Sequence, residues 1–272
     1  MKFKRIWALV VKDLKEITKS KYILISIIIL PLVLGAVVPF QVMLYSGSFR
    51  KGENFDSGFG NFMDGILSET VKDWNTFTDQ AKANISLAYI TLIIVAMMPI
   101  IITAMIGAET IAGERERKTM EALLASPLRN TEIVSAKIIS SFIPSFIATI
   151  VSVLSFSLVM DIILYPLIGR VYFPDVLSIF FMFVISPLIT VIAIELLIMI
   201  STKLSTVRDA NQIGGVILLP LIIIIVAYVG LYFINSKLGL ILGPFVLLLI
   251  GTILYLLSLK IFEREKALTK LV

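Results

Sequence analysis

AKIISSFIPSFIATIVSVLSFSLVM, residues 136–160, is the stretch on which the fold turns. It is apolar almost throughout and shows no period-2 alternation. As a helix rising 1.5 Å per residue it reaches roughly 37 Å, enough to cross about 30 Å of hydrocarbon. In lipid every backbone N–H and C=O must be satisfied within the segment, so continuous hydrophobicity of this length reads as a spanning helix and not as a barrel strand. Five further runs have the same character: 22–44, 85–107, 176–200, 212–234 and 238–262. The chain as a whole agrees, with 58% hydrophobic and 16% charged residues and a mean hydropathy of +0.99. A soluble domain of this size cannot hide six such runs, so the sequence predicts an all-α polytopic membrane protein with about six transmembrane helices.

The basic stretch 1–21 ahead of the first run resembles the start of a signal peptide, but the apolar run is too long and no small-residue cleavage site follows. It is read as a retained span. The positive-inside rule then sets orientation: eighteen of the 24 lysines and arginines fall on the side of the two termini, and six fall on the other. Both termini are expected in the cytoplasm and the chain in the cytoplasmic membrane, with a tail over 263–272. The net charge of +5 follows this topology and forms no single basic face, which argues against nucleic acid as a partner. Histidine and cysteine are absent, which removes disulfides, thiol nucleophiles, imidazole bases and the usual zinc ligands. No catalytic, cofactor or metal site is expected on this chain.

Outside the spans, three segments stand out. The outer loop 46–84 starts glycine-rich and then places Phe62, Met63, Ile66, Leu67, Val71, Trp74 and Phe77 at helical spacing, as a surface helix or a cap on the bundle. The N-terminal stretch puts Phe3, Ile6, Trp7, Val10, Leu14 and Ile17 on one face, with Lys4, Arg5, Lys12, Asp13, Lys15 and Lys19 around the rest. That pattern is an interfacial helix, serving as a lipid anchor or also meeting a partner. The connection between the second and third runs, residues 108–135, reads as two helical pieces around a break. Residues 114–125 are rich in helix formers, Pro127 disfavours helical geometry at Ser126, and Asn130 or Thr131 can cap a new helix. On the first piece Met120, Leu123 and Leu124 form an apolar ridge flanked by Glu114, Arg115, Glu116, Arg117, Lys118 and Glu121. Such a ridge suits docking, while pairs such as Glu114 with Lys118 and Arg117 with Glu121 suit a solvated helix.

The segment ERERKTMEALLASP, residues 114–127, followed by Glu132 and Lys137, resembles the signature of the ABC type-2 transporter permease family. The N-terminal interfacial helix, the six spans and the cytoplasmic ends are similar to that family as well. The resemblance implies a permease subunit of an ATP-binding-cassette exporter, paired with a second permease, as a homodimer or a heterologous pair, and seated on two copies of a separate ABC ATPase. ATP and magnesium would be held by that partner; the chain itself has no glycine-rich phosphate loop ending in Gly-Lys-Ser or Gly-Lys-Thr. The resemblance places ATPase coupling on Glu114, Arg115, Arg117, Lys118, Thr119, Met120, Glu121, Leu123, Leu124 and Pro127. Within the family the Lys118 to Glu121 form looks closest to sodium- or drug-extrusion permeases, although the outer loop is shorter than in some sodium exporters. The substrate is not readable.

Inside the spans Glu195 is the clear ionisable group at membrane depth, either on a pathway or paired structurally. Ser141, Ser145, Thr149 and Ser152 share one helical face, suited to close packing or to a polar lining. Pro31, Pro99, Pro144, Pro187 and Pro220 mark expected kinks. An intramembrane protease or a prenyl-transfer enzyme lacks its residues here. An ion-coupled secondary transporter is the alternative, although no repeat relates the two halves; a non-transporting scaffold is a third reading.

Overall fold

A computed structural model describes residues 3–46, 63–65, 67–68, 71, 73–201, 206–209, 212, 215, 219–223 and 236–261. The described residues are mostly helical, with no strand among them. Helix α1 is Phe3–Lys19. Helix α2 starts as Lys21–Leu32 and continues through a π turn, Val33–Val37, into Val38–Ser46. Helices α3 and α4 are Asp79–Ala96 and Met98–Glu116, followed by the short α5, Met120–Ala125, and the long α6, Asn130–Ile168. Helix α7 runs as Val176–Phe180, a π turn Phe181–Ile185, and Ser186–Ser201; α8 is Ser236–Ile261. Among the described residues, four helical segments are long and apolar enough to cross a bilayer: Ile23–Gln41, Asn130–Ile168, Ser178–Ile200 and Ile241–Ile261.

The second expected span differs, because it is built from α3 and α4 joined at Met97. Pro99, in the first turn of α4, has no N–H to return to Val95, and its ring crowds that carbonyl, so one helix ends and another begins. Pro31 and Pro187 act differently: each lies two residues from a π turn and the helix continues past it. Most of the expected fifth span, Lys203, the tail and the glycine-rich start of the outer loop lie outside the described residues.

Helix α6 is the hub. Its 39 residues extend about 58 Å at 1.5 Å each, well beyond the hydrocarbon, so it stands proud of the spans around it. The other spans lean on its small and hydroxylated face. Ser141, Ser145, Thr149 and Ser152 are all buried, as close packing requires. The Thr103 hydroxyl of α4 donates to Ser145 Oγ at 3.0 Å, while Ser145 and Thr149 turn their own protons back to carbonyls four residues earlier. Gly35 of α2 seats directly on α6: a Cβ there would collide with the Ser152 carbonyl and the Ser155 hydroxyl. Small residues let apolar helices approach closely in a solvent that offers no hydrophobic drive to bring them together.

Exposed leucines, isoleucines and phenylalanines cover the outer faces of α2, α6 and α8, for example Ile28, Phe40, Leu158, Ile162, Phe245 and Leu256. That distribution suits lipid. At the end of the bundle away from α1, Met63, Leu67, Val71 and Trp74 are buried against the bundle core. The Trp74 Nε1–H donates to Asp64 at 2.6 Å, and Lys82 pairs with the same carboxylate at 3.3 Å. The apolar face expected in the outer loop therefore caps the bundle; Phe62 and Ile66 lie outside the described residues.

Replacing Gly35 by Ala is expected to lower thermal stability in detergent by about 1–3 kcal/mol, since a backbone oxygen cannot move aside. Gly107→Ala should cost less: its Cβ would meet the Leu197 side chain at 2.8 Å, and that side chain can rotate away. Equal melting shifts for the two variants would contradict the close approach at Gly35.

Candidate functional site

The connection from α4 to α6 is a compact elbow. Helix α4 ends at Glu116, and Lys118 takes a left-handed backbone with φ of 58°. For a residue with a Cβ that conformation costs roughly 1–2 kcal/mol. It is held by Glu114 on the preceding turn: the Thr119 N–H donates to the Glu114 carbonyl at 2.9 Å, and the Thr119 hydroxyl donates to the Glu114 carboxylate. Helix α5 follows and stops at Ser126, extended at φ −66° and ψ 155° ahead of Pro127. Helix α6 then opens with Glu132 accepting from the Arg129 N–H at 3.0 Å. The helix expected over 114–125 is therefore two helices. The pairs Glu114 with Lys118 and Arg117 with Glu121 do not form, since they need an unbroken turn between them. Arg129, and neither Asn130 nor Thr131, is the cap residue.

The ridge also points the other way from the docking role expected of it. Met120 and Leu123 are buried, at 2% and 8% exposure, among Ile6, Leu9 and Val10 of α1, Ile133, Val134 and Ala136 of α6, and Ile194 and Ile198 of α7. An amphipathic six-residue helix cannot stand alone, so it turns its apolar side to the nearest core. Leu124 lies in α5, but its side chain is outside those described. What the elbow offers outward is mostly polar: Glu116, Arg117, Lys118, Thr119 and Glu121 are exposed, with Ala122, Ala125 and Pro127 beside them. Arg115 is half-buried, and burial lowers its pKa.

Behind the elbow lies a buried ion network that ties three helices together. Lys137 of α6 places its ammonium 2.9 Å from Asp13 of α1 and 3.4 Å from Glu114 of α4. Lys12 reaches the same Glu114 oxygen at 2.6 Å, and the Ser140 hydroxyl donates to Asp13 at 3.3 Å. At the rim Glu16 meets Lys12 and Arg117, each at 3.5 Å. Asp13, Glu114 and Lys137 are all at most 3% exposed. Burial disfavours the charge on Glu114, yet Lys137, with hydrogen bonds from Lys12 and Thr119, outweighs it and holds the carboxyl at about 2. Asp13 goes the other way: burial dominates, and Lys137 only partly offsets it, so its pKa is raised. Oxygens of Asp13, Glu16 and Glu114 lie within 4.8 Å of one another, but these three carboxylates face three cationic groups and already have their charge balanced.

The sequence pattern places Asp13 on the polar side of α1. It sits instead on the buried stripe Ile6, Leu9, Val10, Asp13, Ile17, and Lys137 sits in the first turn of an apolar run. A charge on an apolar stripe in each of two helices was the available signal. Phe3 and Trp7, expected on the same apolar face, are exposed and stack on each other at 6.2 Å. Glu195 stands apart from the elbow on α7, 1% exposed, with no hydrogen-bond partner for Oε2 among the described residues.

Removing one member of a buried charge set leaves the others uncompensated, at a cost of about 3–5 kcal/mol. Lys137→Met is expected to unfold or strongly destabilise the chain in detergent melts, and Lys137→Met with Asp13→Asn to recover part of the loss. A pH series checks Glu114. An acid with a lowered pKa contributes stability above its unfolded value of 4.5 that is lost as pH falls towards the folded value of about 2. The wild type should lose stability across that window more steeply than Glu114→Gln; identical acid limbs would contradict the pairing.

A search of curated proteins finds no match. A family model described as ABC-2 family transporter protein matches residues 7–250, from the second turn of α1 to just past the middle of α8, and so takes in the elbow, the ion network and the bundle around α6. The chain belongs to the ABC-2 family of transporter proteins and is a membrane-spanning subunit of the permease type.

Proposed function

We propose that this chain is the permease of an ATP-driven exporter whose ATPase is a separate polypeptide docking on the elbow. The observation that carries the reading is mechanical. The exposed polar face of α5 and its flanks is joined through Lys137, Asp13 and Glu114 to α1, α4 and α6. A force applied to that face is passed to the second and third spans without first deforming a loop. With both termini on the cytoplasmic side, as the lysine and arginine distribution favours, the elbow meets the ATPase. Two permeases, forming a homodimer, sit on two ATPase subunits in the cytoplasmic membrane. ATP and magnesium are bound by the partner, and its closure drives the elbow, α1 and the inner ends of α4 and α6 as one block.

The residues divide into two roles. Glu116, Arg117, Lys118, Glu121 and Pro127 form the docking face, while Met120 and Leu123 hold α5 against its own bundle. Glu114 and Thr119 fix the left-handed turn at Lys118. Arg5, whose guanidinium donates to the Pro127 carbonyl at 3.3 Å, extends the same face from α1.

The test is a mild-detergent pull-down of the tagged chain from its host, with an ATPase assay on the recovered complex. Charge reversal of Lys118 and Glu121 together, both exposed and outside the ion network, is expected to leave melting within about 0.5 kcal/mol of wild type and to reduce co-purifying ATPase severalfold. Leu123→Asp is expected to destabilise the permease itself, because it places a charge in the core. A chain that purifies folded and without any ATPase would replace this reading with an ion-coupled transporter.

A further inference from the structure

A cavity of about 560 Å³ opens between α6, α7 and α8. Its walls are apolar, with Ile139, Leu188 and Leu247 among them. Leu248 and Leu256 stand at its rim and are more than half exposed, on the side of the bundle where lipid lies. The polar groups that line it are satisfied within the chain, with one exception. Ser135 and Tyr255 hydrogen bond to each other at 3.1 Å, and the Thr252 hydroxyl donates to the Leu249 carbonyl. The exception is Glu195: it lines the cavity, is 1% exposed, and has no partner for Oε2 among the described residues.

From this arrangement we propose that the cavity is a binding site for a lipophilic monocation, with its apolar body against the walls and its positive charge at the Glu195 carboxylate. A carboxylate in an apolar cleft loses its hydration at a cost of several kcal/mol unless a cation or donor replaces the water. Within the span no described side chain supplies one, which leaves a proton or a ligand cation, and the cavity beside the carboxyl has room for the cation. A volume within the ~300–1,000 Å³ of small-molecule sites sets the size class. An anion is repelled, and a neutral apolar molecule gains nothing from the carboxylate. Glu195 lies six residues before Ser201, the end of α7, or about 9 Å along the helix. In the proposed orientation that is the inner half of the membrane, so the ligand enters from the inner leaflet through the side flanked by Leu248 and Leu256. The inference rests on the permease reading for its role as a substrate site, but binding itself needs no ATPase.

The experiment uses the full chain in nanodiscs and two probes of nearly equal size and opposite charge, tetraphenylphosphonium and tetraphenylborate, measured by equilibrium binding. Saturable binding of tetraphenylphosphonium to the wild type is expected, and none of tetraphenylborate, each measured alone because the two ions pair when mixed. Glu195→Gln should weaken it by about tenfold or more, the scale of a lost charge-assisted contact. Gly251→Leu keeps the carboxylate and takes up cavity space, and should weaken it comparably. Equal binding of both probes to the wild type, as a simple lipid groove would give, overturns the proposal. So does unaltered tetraphenylphosphonium binding in a folded Glu195→Gln or Gly251→Leu variant. If Glu195→Gln fails to fold, the two probes on the wild type and the Gly251 variant still decide. Loss of ATPase association with this binding intact would remove the exporter reading and leave the site.

Discussion

The ammonium of Lys137, held between Asp13 and Glu114 where almost no water reaches, is the constraint on which the elbow depends. It fixes the depth at which α1 lies against α6 and the point where α4 must end. Glu114 in turn holds Thr119 and the left-handed turn at Lys118, and that turn aims α5 back at the core. A buried ion set of this kind adds little net stability over an apolar replacement, because desolvation offsets the attraction. What it contributes is position: three helix ends that hydrophobic contact alone would allow to slide are registered at one point.

The bundle follows from a second constraint, the absence of any hydrophobic drive between helices in lipid. Helix α6 meets its neighbours through small hydroxylated residues and through the glycine of α2, where van der Waals contact and the hydrogen bond from Thr103 to Ser145 take the place of water exclusion. Its excess length carries the same packing surface out of the bilayer. There Ile133, Val134 and Ala136 become the floor for α1 and α5. One helix thereby belongs both to the membrane domain and to the block beneath it.

Much of this was legible in the sequence, and the failures have physical reasons. Length and apolarity decide whether a segment crosses a bilayer, so the all-helical polytopic class and most span positions could be read from composition. The break at Met97 could not, because Pro99 permits either a kink or a new helix and the surrounding packing chooses. The elbow was located by Pro127 and the charge pattern, but its inner face was misassigned. A ridge of Met120 and Leu123 looks the same whether it meets a partner or its own bundle, and only the fold supplies Ile6, Val10 and Ile194 opposite it. The pairing of Asp13 with Lys137 was not legible for a related reason: Asp13 falls among the polar residues of α1 and Lys137 enters only through the family signature, and only another helix brings the counter-charge.

The central claim is that α1 and the elbow move as one body, and it can be measured as a distance. The chain contains no cysteine, so exposed Lys15 of α1 and Ala125 at the end of α5 can each be replaced by cysteine and spin-labelled without removing native thiols. A second pair joins Ala125 to Thr76 at the opposite end of the bundle. Distances are compared for the permease with its ATPase, nucleotide-free and trapped with ATP and vanadate. The account predicts a narrow, unchanged distance between positions 15 and 125 together with a shift between 125 and 76. A change or broadening of the first distance on trapping would mean that the buried ions do not bind the elbow to α1, and would contradict the account.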